Sequence, residues 1–336
     1  MAKPKTGVGK LLGLQKLSND QGIITVTALD HRGSLKKSLQ TAMPDTKIGY
    51  DEVVVEKMRM TRIFSPHSSA ILLDPVYGAG QAITTRSLSG NAGLLIAVEE
   101  SGYDGNDEGR ITPITKGWSV AKIKAMGAIA VKLLLYYHPD SPVARQQEEL
   151  VLKIAEDCRQ SDIAFLLEPL CYPVVAGQKK EDPAFSVTKP EVVIESARRL
   201  SGLGIDLLKA EFPDDPHFEK DEAKMREHCR QITEISPVPW VILSAAENFG
   251  TFQRLVEIAC EEGASGFMVG RAIWQEAMTL ATAEERENYL VTTSLSRLGI
   301  LNAIANYRGT PWFNKYPALE LEEGWHESYL EEAAEA

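Results

Sequence analysis

The sequence predicts a (β/α)8 barrel, the TIM barrel fold in which eight parallel strands are surrounded by helices. Eight short, almost continuously apolar segments alternate along the chain with segments of helical periodicity. Such segments are too apolar for an antiparallel sheet with one face in water. Eight strand–helix units within about 250 residues are typical of this closed barrel.

The predicted strands are rich in β-branched and other apolar residues, and Gly, Pro or Asp residues bound them. They cover residues 23–30, 69–75, 93–99, 128–135, 163–169, 204–213, 239–245 and 265–271. Apolar residues at helical spacing predict helices over residues 50–64, 118–126, 142–160, 189–200, 221–235, 249–262 and 283–305. The last helix packs either on the barrel or on a second copy of the chain, which would make the protein a homo-oligomer.

A doubly wound open sheet is the alternative fold. It usually carries a glycine-rich phosphate fingerprint after its first strand, whereas the first strand here ends in Asp30-His31-Arg32-Gly33. No linker rich in Pro, Gly or Ser interrupts the pattern, so we predict one domain. We expect an N-terminal extension over residues 1–20, the barrel over 21–312, and an acidic tail over 313–336 that is either a solvated helix or frayed.

Composition narrows the range of partners. The net charge of the 336 residues is −11, and seven Glu but no Lys or Arg occur from Tyr316 to the end. This balance argues against binding to nucleic acid or to an anionic membrane surface. No apolar run approaches the roughly 18 residues of a membrane span. An anionic small substrate would therefore need a local cluster of positive charge.

The cysteines indicate the compartment. Cys158, Cys171, Cys229 and Cys260 show no C-x-x-C spacing, and the first ten residues lack the apolar core of a secretory signal. These observations predict reduced thiols in a cytoplasmic protein.

The most informative stretch is the sixth predicted strand, which carries a lysine. Strand alternation places Leu207, Lys209 and Glu211 on one face. A lysine buried there is costly unless it is paired or neutral. Burial and nearby positive charge both lower the pKa of an amine and make it a nucleophile. Two interpretations stay open, a structural lysine paired with Glu211 or a neighbouring carboxylate, and a reactive amine.

Polar residues stand near the ends of all eight predicted strands. The C-terminal strand ends of a barrel meet on one face, where active sites lie. The residues concerned are Asp30, Arg32, Asp74, Glu99, Lys132, Glu168, Lys209, Ser244 and Arg271. Any one of them could form an internal ion pair, but a polar group at the same end of every strand predicts a functional site.

Three of these residues form a catalytic constellation. Lys132, Glu168 and Lys209 lie on strands four, five and six, and we expect them side by side. The charge of one lysine can hold the other amine neutral, Glu168 can act as general acid and base, and Asp30 can pair with the charged lysine. A neutral lysine attacks a ketone, the acid expels water, and the protonated imine accepts electrons during C–C cleavage. The alternative is an ion-paired triad without a reaction.

The last two strands supply a candidate anion site. The loops after strands seven and eight of such barrels often bind phosphate, and here those strands end in Ser244-Ala245 and Gly270-Arg271. The N–H groups of Ala245, Ala246 and Gly270 could hold anion oxygens, while Arg271 supplies charge.

Two further assignments concern the first strand. Arg32 follows it and would lie beside the eighth strand in a closed barrel, where it either binds an anion or is solvated. A metal site made of Asp30, His31, Asp74 and His138 is the competing hypothesis for the mouth of the barrel. The six histidines show no H-x-H or H-E-x-x-H spacing, so we expect no metal and no other cofactor.

With these residues in view, the chain resembles the class I tagatose-1,6-bisphosphate aldolase family over about residues 22–312. The matches, in order, are residues 29–36, 71–78, 93–104, 131–137, 165–168, 206–213, 242–245 and 270–274. The resemblance implies that Lys209 forms a Schiff base, that Glu168 is the acid/base residue, and that Lys132 and Asp30 lie beside them.

The resemblance also implies the substrate. Ser244 and Arg271 would bind the phosphate of the half released as dihydroxyacetone phosphate, and a ketose 1,6-bisphosphate would yield an aldehyde such as glyceraldehyde 3-phosphate. The chain departs from the family in two places, with His31 where members carry Gln, and with Ser244-Ala245-Ala246 where members tend to have Ser-Ala-Gly. The alanine at 246 narrows the room for close backbone approach.

Three alternatives accompany this reading. Sulfofructose-phosphate aldolases look similar around residues 239–244, 263–267 and 168–169, so the group at the far end of the substrate could be a sulfonate instead of a phosphate, or could be absent. A non-catalytic sugar-phosphate sensor could use the same barrel. A metal-dependent lyase or isomerase is the third alternative.

Overall fold

Eight parallel strands close into a barrel in the computed structural model, which describes residues 7–327 and 329–330. The strands are β1 (Ile24–Ala28), β2 (Ala70–Leu73), β3 (Gly93–Ala97), β4 (Ala130–Tyr136), β5 (Ala164–Leu170), β6 (Leu207–Ala210), β7 (Trp240–Leu243) and β8 (Gly266–Val269). Strand β1 pairs with both β2 and β8, which closes the ring. The predicted fold is therefore confirmed, and the open-sheet alternative is wrong.

The helices cover the outside of the barrel. They are α1 (Val8–Leu17), α2 (Gly33–Ala42), α3 (Tyr50–Phe64), α4 (Ala79–Thr84), α5 (Val120–Ala125), α6 (Ala144–Gln160), α7 (Pro183–Leu200), α8 (Glu222–Ile235), α9 (Phe249–Glu261), α10 (Arg271–Trp274), α11 (Ala283–Tyr289) and α12 (Leu295–Arg308). The sequence did not predict α1, α2, α4 or α10, nor a small hairpin that pairs Asp104–Gly105 with Arg110–Ile111. The predicted helix over 283–305 is interrupted by a π-helix at Leu290–Ser294.

Strand register brings the polar side chains to one level. Strands β5 and β6 pair Leu167 with Leu208, so Glu168 and Lys209 occupy the next step of the ladder. Strands β4 and β5 pair Leu134 with Glu168, and Lys132 lies two residues earlier on the same face as Leu134. The three residues predicted to be neighbours therefore point to one end of the barrel interior.

Helix α1 closes the opposite end of the barrel. Its Leu14 is fully buried, and its Lys10 Nζ lies 2.8 Å from Asp206 Oδ2 at the start of the lysine strand. A Cβ on Gly13 would lie 2.6 Å from the carbonyl oxygen of Ile129, so this close approach requires glycine. Part of the predicted N-terminal extension is therefore a packed helix, while the predicted domain boundaries stay a prediction.

The C-terminal region packs on the barrel. Leu298 and Leu301 of α12 are fully buried against α9 and the adjoining strands. Of the two packings considered for the last helix, the structure shows the one on the barrel. Homo-oligomer formation stays a prediction. The predicted tail forms no helix over residues 317–327, whereas its residues 328 and 331–336, like residues 1–6 of the predicted extension, lie outside the described residues. No helix within the described ranges is long and apolar enough to cross a membrane.

Candidate active site

A cavity of about 820 Å³ opens at the C-terminal ends of the strands. All nine residues that the sequence assigned to catalysis or binding line it. They are Asp30, Arg32, Lys132, Glu168, Lys209, Ser244, Ala245, Gly270 and Arg271. The cavity thus collects residues that are up to 241 positions apart, from Asp30 to Arg271.

Lys132 lies at the centre of the polar cluster, and its side chain is fully buried. Its Nζ atom lies 2.8 Å from Asp30 Oδ2, 2.6 Å from Glu99 Oε1 and 3.0 Å from Glu168 Oε2. Burial alone would lower the pKa of Lys132, but these three carboxylates together raise that pKa well above its usual value. Lys132 is therefore an ammonium ion at every physiological pH.

Lys209 pairs with Glu168 and not with Glu211. Its Nζ lies 2.8 Å from Glu168 Oε1, and its side chain is only 4% exposed. Glu211 instead pairs with Lys180 from the loop after β5, and its Oε2 accepts the N–H of Cys171 at 2.7 Å. The sequence left two partners open for Lys209, Glu211 or a carboxylate on a neighbouring strand. The structure shows the second, because Glu168 lies on the adjacent strand β5.

Glu168 bridges the two lysines. Burial raises the pKa of Glu168, but Lys132 and Lys209 outweigh this effect and hold it below its usual value. Asp30 follows the same pattern, because burial is outweighed by the same two lysines and its pKa falls well below its usual range. Both groups are therefore carboxylates near neutral pH, and both can accept a proton from a neighbour.

We expected the charge of one lysine to keep the other amine neutral by repulsion. In the structure, however, three carboxylates surround Lys132 and offset its positive charge. Glu168 lies within 3.0 Å of both ammonium groups. A proton can pass from Lys209 Nζ to Glu168 Oε1 across 2.8 Å without leaving the cluster. This geometry provides a route to a neutral amine that does not depend on repulsion between like charges.

The residues of the anion site predicted at strands β7 and β8 lie together at one corner of the cavity, where Arg271 provides a positive charge. The N–H of Gly270 donates to Ser244 Oγ at 3.4 Å. Among the described residues, Arg271 has no carboxylate partner, and its buried Nε has no hydrogen-bond acceptor. Burial lowers the pKa of Arg271, although a guanidinium remains charged near neutral pH. An unpaired, partly buried cation at this position is suited to bind an anion.

Arg32 lies at the cavity wall and is engaged by neighbouring protein groups. Its Nη1 donates to Glu100 Oε1 at 2.7 Å, its Nη2 donates to the carbonyl oxygen of Glu99 at 2.6 Å, and its Nε lies 3.7 Å from Asp74 Oδ1. The guanidinium is therefore engaged by the protein, although it lines the cavity. In this arrangement Arg32 holds the end of strand β3, and its binding to an anion stays a prediction.

The residues of the metal hypothesis do not converge. Asp74 is fully buried and forms an ion pair with Lys57. His138 lines a different cavity beside α7. Asp30 is engaged with Lys132. Within residues 7–327 and 329–330, no group of three His, Cys, Asp or Glu side chains is arranged to hold a metal ion.

His31 forms part of the cavity wall. Its ring meets Trp274 edge-on, with centroids 5.2 Å apart, and a Cβ on Gly270 would lie 2.8 Å from the ring. Burial lowers the pKa of His31 to about 4, even though Asp30 opposes this effect. The imidazole is therefore neutral near pH 7, and glycine at 270 leaves room for it.

The turn after β7 is conformationally unusual. Ala245 and Ala246 have φ angles of 44° and 68°, and the N–H of Glu247 donates to the carbonyl of Ser244 at 2.8 Å. Two central residues with positive φ are typical of turns built from Gly, Asn or Asp. The chain therefore holds alanine at the position where the resembled family tends to have glycine.

Replacing Ala246 by glycine is expected to stabilise the fold. Relief of the left-handed conformation exceeds the entropic cost of glycine and leaves a gain of about 0.5–1 kcal/mol. Thermal unfolding measures this gain. The matched control is Ala303→Gly on the exposed face of α12, which is expected to destabilise the protein by about 1 kcal/mol. A lower melting temperature for Ala246→Gly would contradict the assigned strain.

Sequence reasoning missed some residues of the site. Glu99 was noted at a strand end but was not assigned to the cluster, although β3 and β4 pair Ala97 with Lys132. That pairing places the end of β3 beside Lys132. The adjacency of these two strands is the signal from which Glu99 could have been assigned to the cluster around Lys132. No sequence signal indicated that Lys180 reaches Glu211 from its loop.

Comparison with known proteins gives the family. The model of the DeoC/LacD family aldolases matches residues 24–276. A tagatose 1,6-diphosphate aldolase of Listeria monocytogenes is 31% identical over 93% of this chain and 96% of its own length. One from Staphylococcus epidermidis is 31% identical over 91% of this chain and 98% of its own length.

Solved structures show the same fold. An archaeal fructose 1,6-bisphosphate aldolase aligns with a TM-score of 0.55 at 18% identity, over 86% of this chain and 98% of its own. Cgl0159 of Corynebacterium glutamicum aligns with a TM-score of 0.59 at 15% identity, over 89% of this chain and 99% of its own. The family model covers most of the barrel, and the curated relatives cover nearly the whole chain. The protein described here therefore belongs to the DeoC/LacD family of aldolases.

Proposed function

We propose that this aldolase works by a class I mechanism, with an imine on Lys209. Its substrate would be a ketose 1,6-bisphosphate such as tagatose 1,6-bisphosphate, cleaved reversibly to dihydroxyacetone phosphate and glyceraldehyde 3-phosphate. The observation that carries the proposal is the buried bridge in which Glu168 contacts both Lys209 and Lys132. The relatives from Listeria monocytogenes and Staphylococcus epidermidis are tagatose 1,6-diphosphate aldolases, which supports the choice of substrate.

The reaction starts with a proton transfer inside the bridge. Lys209 gives a proton to Glu168, and the neutral amine attacks C2 of the ketose. The resulting oxyanion takes the proton of Glu168, and the new ammonium returns one to it, which leaves a neutral carbinolamine. Glu168 then protonates the hydroxyl at C2, water leaves, and a protonated imine forms.

Glu168, now a carboxylate, can carry out the cleavage. It takes the proton of the C4 hydroxyl while the C3–C4 bond breaks and its electrons pass into the imine. The aldehyde leaves, and an enamine remains on Lys209. Glu168 returns the proton to C3, and water hydrolyses the imine to release dihydroxyacetone phosphate. Lys132 stays charged throughout and stabilises each carboxylate form of Glu168 at 3.0 Å.

The phosphate of the ketone half would bind at the cationic corner formed by Ser244, Gly270 and Arg271. Arg271 supports this role because its Nε is buried and has no acceptor among the described residues. Replacement of Arg271 by methionine is expected to raise KM about 10- to 100-fold, because a charge-assisted hydrogen bond contributes about 1.5–3 kcal/mol.

Steady-state kinetics with the bisphosphate measure this change. Arg145→Met is the matched control, since it removes the same charge from a side chain that is 90% exposed on α6. The control is expected to leave KM unchanged. An unchanged KM in the Arg271 variant would contradict the binding of the phosphate at this corner of the cavity.

Borohydride reduction in the presence of dihydroxyacetone phosphate, followed by peptide mass mapping, tests the mechanism. We expect a three-carbon phosphate adduct on Lys209 and none on Lys132, since Lys132 is held as an ammonium ion. A folded protein without any adduct would exclude the imine. That result would favour the alternative functions, a non-catalytic sugar-phosphate sensor or a metal-dependent lyase or isomerase.

We further propose a cytoplasmic location and a small sugar phosphate as the binding partner, without nucleic acid or membrane. All four cysteines are free and buried, in agreement with reduced thiols. The net charge of −11 disfavours polyanionic partners. Fractionation of the producing cells tests the location.

A further inference from the structure

His31 presents one nitrogen atom to the cavity that the proposed mechanism does not use. Its side chain is 23% exposed and forms part of the cavity wall. Nδ1 is enclosed by the protein and lies 3.6 Å from Asp30 Oδ1. Nε2 has no hydrogen-bond partner among the described residues and, unlike Nδ1, is open to the cavity. The ring therefore has an unused polar atom on the side where a substrate binds.

Neighbouring groups fix the orientation of this ring. Trp274 is buried, its indole N–H donates to the carbonyl oxygen of Ala28 at 3.2 Å, and its ring meets His31 edge-on. A Cβ on Gly270 would lie 2.8 Å from Cε1 of His31, so the backbone at this glycine packs closely against the ring. These two contacts leave the imidazole little freedom to rotate, and Nε2 therefore keeps its position in the cavity.

The carboxylate of Asp30 selects the tautomer of His31. Asp30 accepts a hydrogen bond from the ammonium of Lys132 at 2.8 Å, which keeps it ionised, and its other oxygen faces Nδ1. A proton on Nδ1 is attracted to that carboxylate, whereas a lone pair there would be repelled. An ordinary imidazole, with a pKa of about 6.5, is already neutral at pH 8, and burial lowers the pKa of His31 to about 4. Nε2 is therefore a bare hydrogen-bond acceptor.

The proposed mechanism brings the ketone half of the substrate beside this nitrogen. In that mechanism C2 is bonded to Lys209, and the phosphate on C1 lies at the corner that contains Gly270 and Arg271. The ring of His31 packs against Gly270 and shares the cavity wall with Lys209, so it flanks these three carbons. Their polar groups are the phosphate, the oxygen on C2 and the hydroxyl on C3. The first two have partners in Arg271 and Glu168, whereas the C3 hydroxyl has none.

The charged groups around Lys132 cannot take this hydroxyl. Lys132 itself is fully buried, and three carboxylates surround its Nζ. Asp30 uses Oδ2 for Lys132, and its Oδ1 is enclosed by the protein. Glu99 uses Oε1 for the same ammonium, and its Oε2 is enclosed as well. A hydroxyl on C3 can donate, and Nε2 of His31 is an acceptor that remains open beside it.

We propose that His31 recognises the C3 hydroxyl of the substrate, with Nε2 accepting its hydrogen bond. This inference rests on the proposed function, because the imine and the phosphate position the three carbons. The hydrogen bond restricts rotation about C2–C3 and holds the C3–C4 bond perpendicular to the plane of the imine, where its electrons pass most readily into the imine. Glutamine, which the resembled family carries at this position, can offer an amide oxygen to the same hydroxyl. Histidine thus keeps an acceptor there.

A pair of ligands that differ by this hydroxyl alone tests the proposal. Dihydroxyacetone phosphate has the C3 hydroxyl, and hydroxyacetone phosphate has a methyl group in its place. A short borohydride pulse at increasing ligand concentration, with the adduct on Lys209 measured by peptide mass mapping, gives the half-saturating concentration of each. For the parent we expect this concentration to be about 3- to 10-fold higher for hydroxyacetone phosphate, the effect of one neutral hydrogen bond.

Two variants of His31 and one control assign the ratio of these two concentrations. His31→Phe keeps an aromatic ring against Trp274 but lacks Nε2, so the ratio should fall to about 1. His31→Gln keeps an acceptor and should retain the parental ratio. His67→Phe makes the same change in an exposed histidine before β2 and should also retain it.

The ratio separates recognition of the hydroxyl from a structural role. If His31 only formed the cavity wall, His31→Phe would change the binding of both ligands equally, and a parental ratio in that variant would overturn the proposal. A ratio near 1 in the parent would also overturn it. Adducts with both ligands but without discrimination would refute only the role of His31, whereas the absence of any adduct on Lys209 would overturn the proposed function as well.

Discussion

Lys209→Met is expected to abolish turnover. Methionine fills a similar volume but has no amine, so no imine forms and C–C cleavage loses its electron sink. We expect kcat/KM to fall by at least about 10⁴-fold, as when the nucleophile of a covalent mechanism is removed. The measurement is the release of dihydroxyacetone phosphate from tagatose 1,6-bisphosphate. The borohydride adduct should disappear in the same variant.

The fold is expected to tolerate this change. Glu168 loses one of its two lysine partners but keeps Lys132 at 3.0 Å, so its buried carboxylate remains paired. Lys153→Met, an exposed lysine on α6, is the matched control and should keep parental activity. A Lys209 variant that is folded and retains parental turnover would refute the imine mechanism.

The barrel is predictable from sequence because its strands are buried on both faces. Every residue of β1, β2 and β3 is buried, and this burial produces the continuous apolar runs from which the eight strands were predicted. Helix α1 was missed for a related reason. Gly9 and Gly13 lie where a Cβ would meet Asp162 and Ile129, so packing requires the residues that weaken a helical pattern.

The neighbourhood of Lys132, Glu168 and Lys209 was predictable because consecutive strands of a parallel barrel lie side by side. The pairing of individual charges was not. Arg32 binds Glu100, and Lys180 rather than Lys209 pairs with Glu211. Both pairings depend on loops whose paths leave no periodic pattern in the sequence. Sequence thus predicts which polar groups share the cavity, whereas their protonation follows from three-dimensional contacts.

Glu168→Gln is the second large expected effect. The amide cannot take the proton of Lys209, protonate the leaving hydroxyl or accept the proton at C4. We expect kcat to fall by about 10²- to 10⁴-fold, the usual contribution of a general acid–base group. Glu149→Gln on the exposed face of α6 removes the same charge away from the cavity and should have no effect.

The pH dependence separates this role from a structural one. The two lysines hold the pKa of Glu168 below its usual value, so its carboxylate persists to lower pH than an ordinary glutamate. In the parent, kcat/KM should fall only when pH drops through that lowered pKa, and Glu168→Gln should lose this acidic limb together with its activity. The borohydride adduct should form more slowly in the variant, since imine formation and cleavage use the same carboxyl. A variant that formed the adduct and cleaved the bisphosphate at parental rates would transfer the acid–base role to Asp30, which also contacts Lys132.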